Sequence, residues 1–264
     1  MFKLYRNMNC KALLIGINYV KTPSSALRGC ANDVRNMEKF LHERLYFPKD
    51  KIESYVDEVE SQYPKTTHLG IVHALQNLAA ESWSENLDLA WFHYSGHGCS
   101  VRDYSGDEVD GKDEALVPSD YNVRGVIKDD TISKIFKNFN PKTKVVCVFD
   151  CCHSGTIADL KYHYKTVGGE PIVNNKCIPM NNNILTLSGC MDVQTSADAY
   201  NVQNAHKFTG ALTSCLINVF DEQCSSDVFV LMSKVREELR RKRFQQVPQI
   251  CTTYDIKLNK KLME

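Results

Sequence analysis

No run in this 264-residue chain approaches the roughly 20 consecutive apolar side chains that a membrane-spanning helix requires. The first ten residues carry Lys3 and Arg6 but no apolar segment behind them, which argues against a secretory signal. A surplus of charge is missing too: 32 Lys and Arg stand against 32 Asp and Glu, a formal net charge of zero. Nucleic-acid binders and polybasic membrane-surface binders depend on such a surplus, so neither nucleic acid nor membrane is an expected partner. Cys-x-x-Cys does not occur, which removes the usual ligand spacing of a structural zinc site. The eleven cysteines are an odd number scattered over strand-like and helix-like stretches, unlike the even framework of a small secreted domain. These absences predict a soluble, cytoplasmic chain with reduced thiols. Its hydrophobic fraction of 43% and charged fraction of 24% are those of a globular protein.

What is present is an alternation of apolar strands and amphipathic helices. Residues 12–17 (ALLIGI) form a continuous apolar run, as expected of a strand covered on both faces. Residues 32–45 place Val34, Met37, Phe40, Leu41 and Leu45 at helical spacing. A short strand is predicted at 52–56 and a helix at 67–83, with Thr66 or Thr67 as its N-cap. Buried strands follow at 87–94 and 144–149, then a strand at 184–187, helices at 211–220 and 228–241, and a late strand at 249–254. This pattern predicts an α/β fold, a mostly parallel central sheet layered between helices. Residues 102–114, acidic and Gly-containing, read as a loop. Residues 161–183, with Gly168-Gly169, Pro171, Pro179 and an Asn run, read as an exposed linker.

In such sheets sites form at the carboxyl ends of the strands. Two ends carry unusual residues: His93-Tyr94-Ser95-Gly96-His97-Gly98 and Asp150-Cys151-Cys152-His153-Ser154-Gly155. A cysteine needs a neighbouring base to become a thiolate near neutral pH, and an imidazole can supply that and later protonate a leaving amine. Glycines beside the His allow a tight turn and close approach of a substrate. A Cys/His nucleophile pair is the expectation, with His97 about 55 positions before Cys152, near the ~50 typical of caspases. The caspase Gln-Ala-Cys-x-Gly signature is absent. His93, inside its strand, and His153 are expected to be structural.

Five ordered segments resemble the metacaspases, caspase-fold cysteine peptidases: Gly29-Cys30-Ala31-Asn32-Asp33, Ser95-Gly96-His97-Gly98, Asp113-Glu114-Ala115-Leu116-Val117-Pro118, the 150–155 segment, and Ser188-Gly189-Cys190. The resemblance implies a caspase-hemoglobinase fold, a three-layer α/β/α sandwich forming a single peptidase domain over 1–264. Within it a p20-like region would span 1–165, a linker about 161–183 and a p10-like region 184–264. The resemblance implies His97 as base, Cys152 as nucleophile with Cys151 as its non-nucleophilic neighbour, and the backbone N–H groups of Cys152 and Gly98 as oxyanion hole. It also implies that Asp33 and Asp150 bind a P1 Arg or Lys, with Ser95 and Cys30 as weaker members of that S1 site. A carboxylate pair suits a guanidinium, which it can bind by charge-assisted bonds. The competing role for Asp33 is capping its helix.

Asp107 to Glu114 fails the EF-hand spacing, since Val117 stands where the bidentate Glu belongs. Asp113, Asp129, Asp130 and Asp159, however, match the calcium site of calcium-dependent metacaspases, so Ca²⁺ is the implied cofactor, against a reading as merely solvated acids. Lys161, Lys165 and Lys176 make the linker a candidate for self-cleavage after a basic residue. The order of the regions is that of type I metacaspases without their prodomain. The family habit implies a monomer, with extra strands covering the sheet edge through which caspases pair, and protein or peptide substrates with a basic P1. Two alternatives stand beside this: a silent caspase-fold scaffold, opposed by the complete set His97, Cys152, Asp33 and Asp150, and an Asp-specific caspase-like protease, opposed by the acidic pocket.

Overall fold

The computed structural model describes residues 8–102, 112–152, 157–166, 168–177, 179–189, 211–223, 227–244 and 246–256. Strand β1 (Cys10–Gly16) is buried along its whole length. Its side chains alternate between two cores, Ala12 and Leu14 entering one, Leu13 and Ile15 the other, as the period of two dictates. Helix α1 (Cys30–Arg44) follows, then β2 (Ile52–Val56), α2 (His68–Ser84) and β3 (Leu89–Ser95). Thr67 caps α2, its hydroxyl accepting the Gly70 N–H at 3.3 Å. Next come β4 (Gly98–Arg102), β5 (Lys112–Leu116), α3 (Tyr121–Arg124), β6 (Ile127–Lys128), α4 (Asp129–Phe136) and β7 (Lys144–Asp150). The rest comprises β8 (Tyr162–Tyr164), β9 (Ile172–Val173), β10 (Asn183–Ser188), α5 (Ala211–Gln223), α6 (Val228–Arg241) and β11 (Gln249–Thr252).

Eight strands make one sheet in the order β2-β1-β3-β7-β10-β11-β8-β9. The first five run parallel, and β11, β8 and β9 continue it antiparallel. Helices α1, α5 and α6 bury their apolar stripes (Met37, Phe40, Leu216, Val235) on one face. Helices α2 and α4 bury Leu75, Leu78, Ile132 and Phe136 on the other. Strands β4, β5 and β6 form a separate antiparallel sheet at the carboxyl ends of the main strands. The layers are those of a caspase-like α/β fold.

Two stretches differ from their sequence expectation. Of the 102–114 stretch, Arg102 ends strand β4 and residues 112–114 open strand β5 rather than a loop, and 103–111 lie outside the described residues. The 161–183 stretch, expected to be a loose linker, contributes β8 and β9 to the main sheet. Tyr164 is buried there, its ring 5.3 Å from that of Phe229 and its Oη donating to Asp255 at 2.7 Å. Three residues of Tyr-His-Tyr are enough for a strand once β11 offers an edge, but too few to outweigh the surrounding Gly, Pro and Asn as a pattern.

Candidate active site

Strands β3 and β7 are neighbours in parallel register, with Ser95 opposite Asp150. Each chain then runs two residues further, to His97 and Cys152, so both arrive at the same edge of the sheet. The backbones are in intimate contact: a Cβ added at Gly98 would lie 2.0 Å from the Cys152 carbonyl oxygen and 3.2 Å from Cys151 Sγ. Only glycine fits there. Cys151 is fully buried and faces the core, whereas Cys152 is half-buried. His153, Ser154 and Gly155 lie outside the described residues.

His97 is buried and held on several sides. Its N–H donates to Tyr19 Oη at 2.8 Å, and its carbonyl accepts from Tyr94 Oη at 2.9 Å. The Tyr19 ring lies 4.6 Å from the imidazole, centroid to centroid. Imidazole Nε2 is 2.9 Å from the Ser25 carbonyl. A carbonyl can only accept, so Nε2 carries a proton, and Nδ1 is the nitrogen through which the ring would act as a base. Burial drives both tyrosines' pKa well above their ordinary range, so both hydroxyls stay protonated, Tyr19 accepting from His97 and Tyr94 donating to it.

Beside this pair the α1 face of the sheet holds two buried acids. Asp33 is in the first turn of α1, but it caps nothing: Gly29 is the N-cap residue, without a side-chain bond. Asp33 Oδ2 instead accepts from Ser95 Oγ at 2.7 Å. Asp150 Oδ2 accepts from the Thr213 N–H at 2.7 Å. Burial and then the charge of Asp150 raise the Asp33 pKa to about 7, the Ser95 bond opposing them. Cys30 is buried next to Ser95; burial pushes its thiol far up, so it is no thiolate. Ser188 and Gly189 close the same corner, Gly189 N–H donating to the Phe149 carbonyl at 2.9 Å, while Cys190 lies outside the described residues.

The third group sits on the small sheet. Asp129 opens α4, its Oδ2 accepting from the Glu114 N–H at 2.7 Å and its Oδ1 from the Asp130 N–H at 2.8 Å. Lys128 is hydrogen-bonded to Asp113, and this bond, with the charges of Asp113, Asp129 and Asp130, raises its pKa. Asp130 also pairs with Lys134 at 3.1 Å. Asp159, buried at φ +46°, comes against the same helix, because Ser133 Oγ donates to the neighbouring Ala158 carbonyl at 2.8 Å. Among the described residues no three His, Cys, Asp or Glu side chains are gathered as a ready metal-holding group. The side chains here are carboxylates, the hard oxygen donors that Ca²⁺ takes.

Comparison with known proteins decides the family. The description "Metacaspase, peptidase C14 domain" fits residues 10–161. The chain belongs to the metacaspase family. It is 36% identical to Metacaspase-3 of Trypanosoma brucei brucei, across 94% of this chain and 72% of that one. It is 31% identical to Metacaspase-1B of Aspergillus oryzae, across 94% and 69%, and 30% identical to Metacaspase-1 of Meyerozyma guilliermondii, across 97% and 73%. A crystal structure of protein GSU0716 from Geobacter sulfurreducens matches with a TM-score of 0.61 at 22% identity, covering 94% of this chain and 95% of that one, which supports the fold alone. As a metacaspase the chain is a cysteine-type endopeptidase, a hydrolase acting on protein substrates.

The metacaspase fold thus brings together His97, Gly98 and Cys152, and separately Asp33, Ser95, Asp150 and Cys30. Sequence reasoning missed Tyr19, Tyr94 and Ser25, which fix His97, and Thr213, which meets Asp150. The rule that sites collect at strand ends could have flagged Tyr19, three residues past the end of β1; nothing in the local pattern marks Thr213.

Proposed function

We propose that this metacaspase cleaves peptide bonds after Arg or Lys, with Cys152 as nucleophile and His97 as general base. The observation that carries this reading is the buried pair Asp33 and Asp150 beside the His97–Cys152 edge. Two acids in a desolvated corner repel each other, and a basic side chain relieves that repulsion while satisfying both.

The Cys152 thiol gives its proton to Nδ1 of His97, and the thiolate attacks the carbonyl carbon after P1. The oxygen that becomes negative accepts from the N–H groups of Cys152 and Gly98, which the close approach of these two backbones presents together. His97 then returns the proton to the leaving amine, leaving a thioester. Water, deprotonated by the same imidazole, attacks the thioester and releases the acid product and the thiol. The Ser25 carbonyl and the Tyr19 ring keep the imidazole in the required orientation throughout.

Asp113, Asp129, Asp130 and Asp159 would hold Ca²⁺. Bound there, the ion would draw together carboxylates from β5, from α4 and from the stretch after β7, and so tie these segments next to the active edge. Self-cleavage would fall in 161–183, where Lys161, Lys165 and Lys176 are exposed. A monomer is supported by β8 and β9, which extend the sheet past β11. A cytoplasmic location is supported by the nine described cysteines, all of them thiols rather than disulfides. No described helix is long and apolar enough to cross a membrane.

Hydrolysis of a fluorogenic Arg-P1 peptide, with calcium and with chelator, tests the reading. Turnover in wild type with calcium, and none in Cys152→Ala, is the expected result. Cleavage of an Asp-P1 peptide in preference would overturn it.

A further inference from the structure

Asp150 ends β7 fully buried, and a carboxylate in that position needs donors. One that reaches it comes from the other half of the chain. Thr213 lies in the first turn of α5, where backbone N–H groups have no partner within their own helix and the helix dipole favours negative charge. Its N–H donates to Asp150 Oδ2 at 2.7 Å. Its side chain turns toward β3 instead, with Oγ1 3.0 Å from His93 Nε2.

His93 is fully buried, and burial pushes its pKa down to about 3, so the ring is neutral. Its Nδ1 has no hydrogen-bond partner among the described residues. A buried N–H left unpaired is rarer than a buried acceptor left unpaired, so the proton belongs on Nε2, which donates to the Thr213 hydroxyl. The register fits. His93 stands opposite Val148, and Ser95, two residues on, stands opposite Asp150. Both strands point these residues to the face where Trp91, Val148 and Leu212 pack together.

We infer that Thr213 is a positioning residue for the specificity site: anchored by His93, it docks the N-terminus of α5 onto Asp150 and so fixes where that carboxylate stands relative to Asp33. The inference rests on the basic-P1 reading above. Each acid is then held by a donor from a different element, Asp33 of α1 by Ser95 of β3, and Asp150 of β7 by Thr213 of α5. A guanidinium that meets both acids depends on their spacing, so a loosened α5 weakens substrate binding while leaving the chemistry at Cys152 in place.

The test compares Thr213→Val, which keeps the shape and loses the hydroxyl, with Thr213→Ser, which keeps the hydroxyl. Michaelis constants are measured on an Arg-P1 peptide, and alkylation of Cys152 by iodoacetamide reports the reactive thiol without using the specificity site. Thr213→Val should raise KM about tenfold with kcat within about twofold and alkylation unchanged, and Thr213→Ser should restore KM. A normal KM in folded Thr213→Val, a Ser variant as impaired as the Val variant, or alkylation falling in step with KM would overturn the inference. Should the Val variant not fold, Thr213→Ala against Thr213→Ser makes the same comparison. Wild type that turns over no basic-P1 peptide would overturn the basic-P1 reading and this inference with it; normal wild type with unaffected variants would remove the inference alone.

Discussion

Ser95 stands opposite Asp150 in the register of β3 and β7 and at the same time donates its hydroxyl to Asp33. One serine therefore marks the point where acids from a helix and from a strand converge, a residue away from the turn that carries His97.

The pH dependence of stability follows from Asp33. Its pKa of about 7 in the folded chain lies above the ordinary 3.8, so between about pH 4 and 7 the folded state keeps a proton that the unfolded state has lost. Stability contributed by this group therefore falls as pH rises through that window. Asp33→Asn removes the dependence, and its melting temperature should gain on wild type as pH rises from about 4 to about 7. Parallel melting curves over that range would refute the assignment.

Bringing a basic P1 to the pair favours the ionised form of Asp33, so KM for an Arg-P1 peptide should fall as pH rises toward about 7. Iodoacetamide alkylation of Cys152 over the same pH range separates this effect from titration of the dyad. A KM that does not vary with pH would show that Asp33 takes no part in binding.

Gly98→Ala places a methyl group where the Cys152 carbonyl already is. The backbone donors for the developing oxyanion move apart, and kcat should fall about 10²- to 10³-fold, with KM little changed. Near-normal kcat in a folded Gly98→Ala protein would remove the oxyanion role.

The two adjacent cysteines should behave oppositely. Cys152→Ala abolishes turnover and the rapidly alkylated thiol. Cys151→Ser keeps turnover, at a stability cost of about 1–3 kcal/mol for burying a hydroxyl in the apolar core. Mass spectrometry of singly alkylated protein decides which sulfur reacts.

Lys128 already meets the charge of Asp113, Asp129 and Asp130. Lys128→Met leaves these acids less compensated, so calcium should bind several-fold more tightly, read by titration calorimetry on the Cys152→Ala background. Unchanged affinity would place the ion elsewhere or nowhere. Asp129→Asn should weaken binding in the same assay.

The long elements were legible because burial on both faces leaves an unmistakable apolar run: β1, β3 and β7 end within one or two residues of their expected bounds, and α6 has the bounds expected. Short elements were not. Strands of two to five residues such as β4, β6 and β8 exist because a neighbouring strand supplies the pairing, which no local window contains. Helix α4 starts at Asp129, with only eight residues to show its apolar face. The same limit applies at the site. His97, Cys152, Asp33 and Asp150 announce themselves by residue type at strand or helix ends. Tyr19 and Thr213 act through contacts made 78 and 63 positions along the chain, which only the assembled sheet brings about.

The strand order has a consequence for what a cut after Lys176 would leave. Strands β10 and β11 would belong to the C-terminal piece, yet they lie between β7 on one side and β8 on the other, both from the N-terminal piece. The two pieces are interleaved like the fingers of clasped hands. Severing the chain there would free two new ends without freeing either fragment, and the nicked protein would travel through a sizing column as one body.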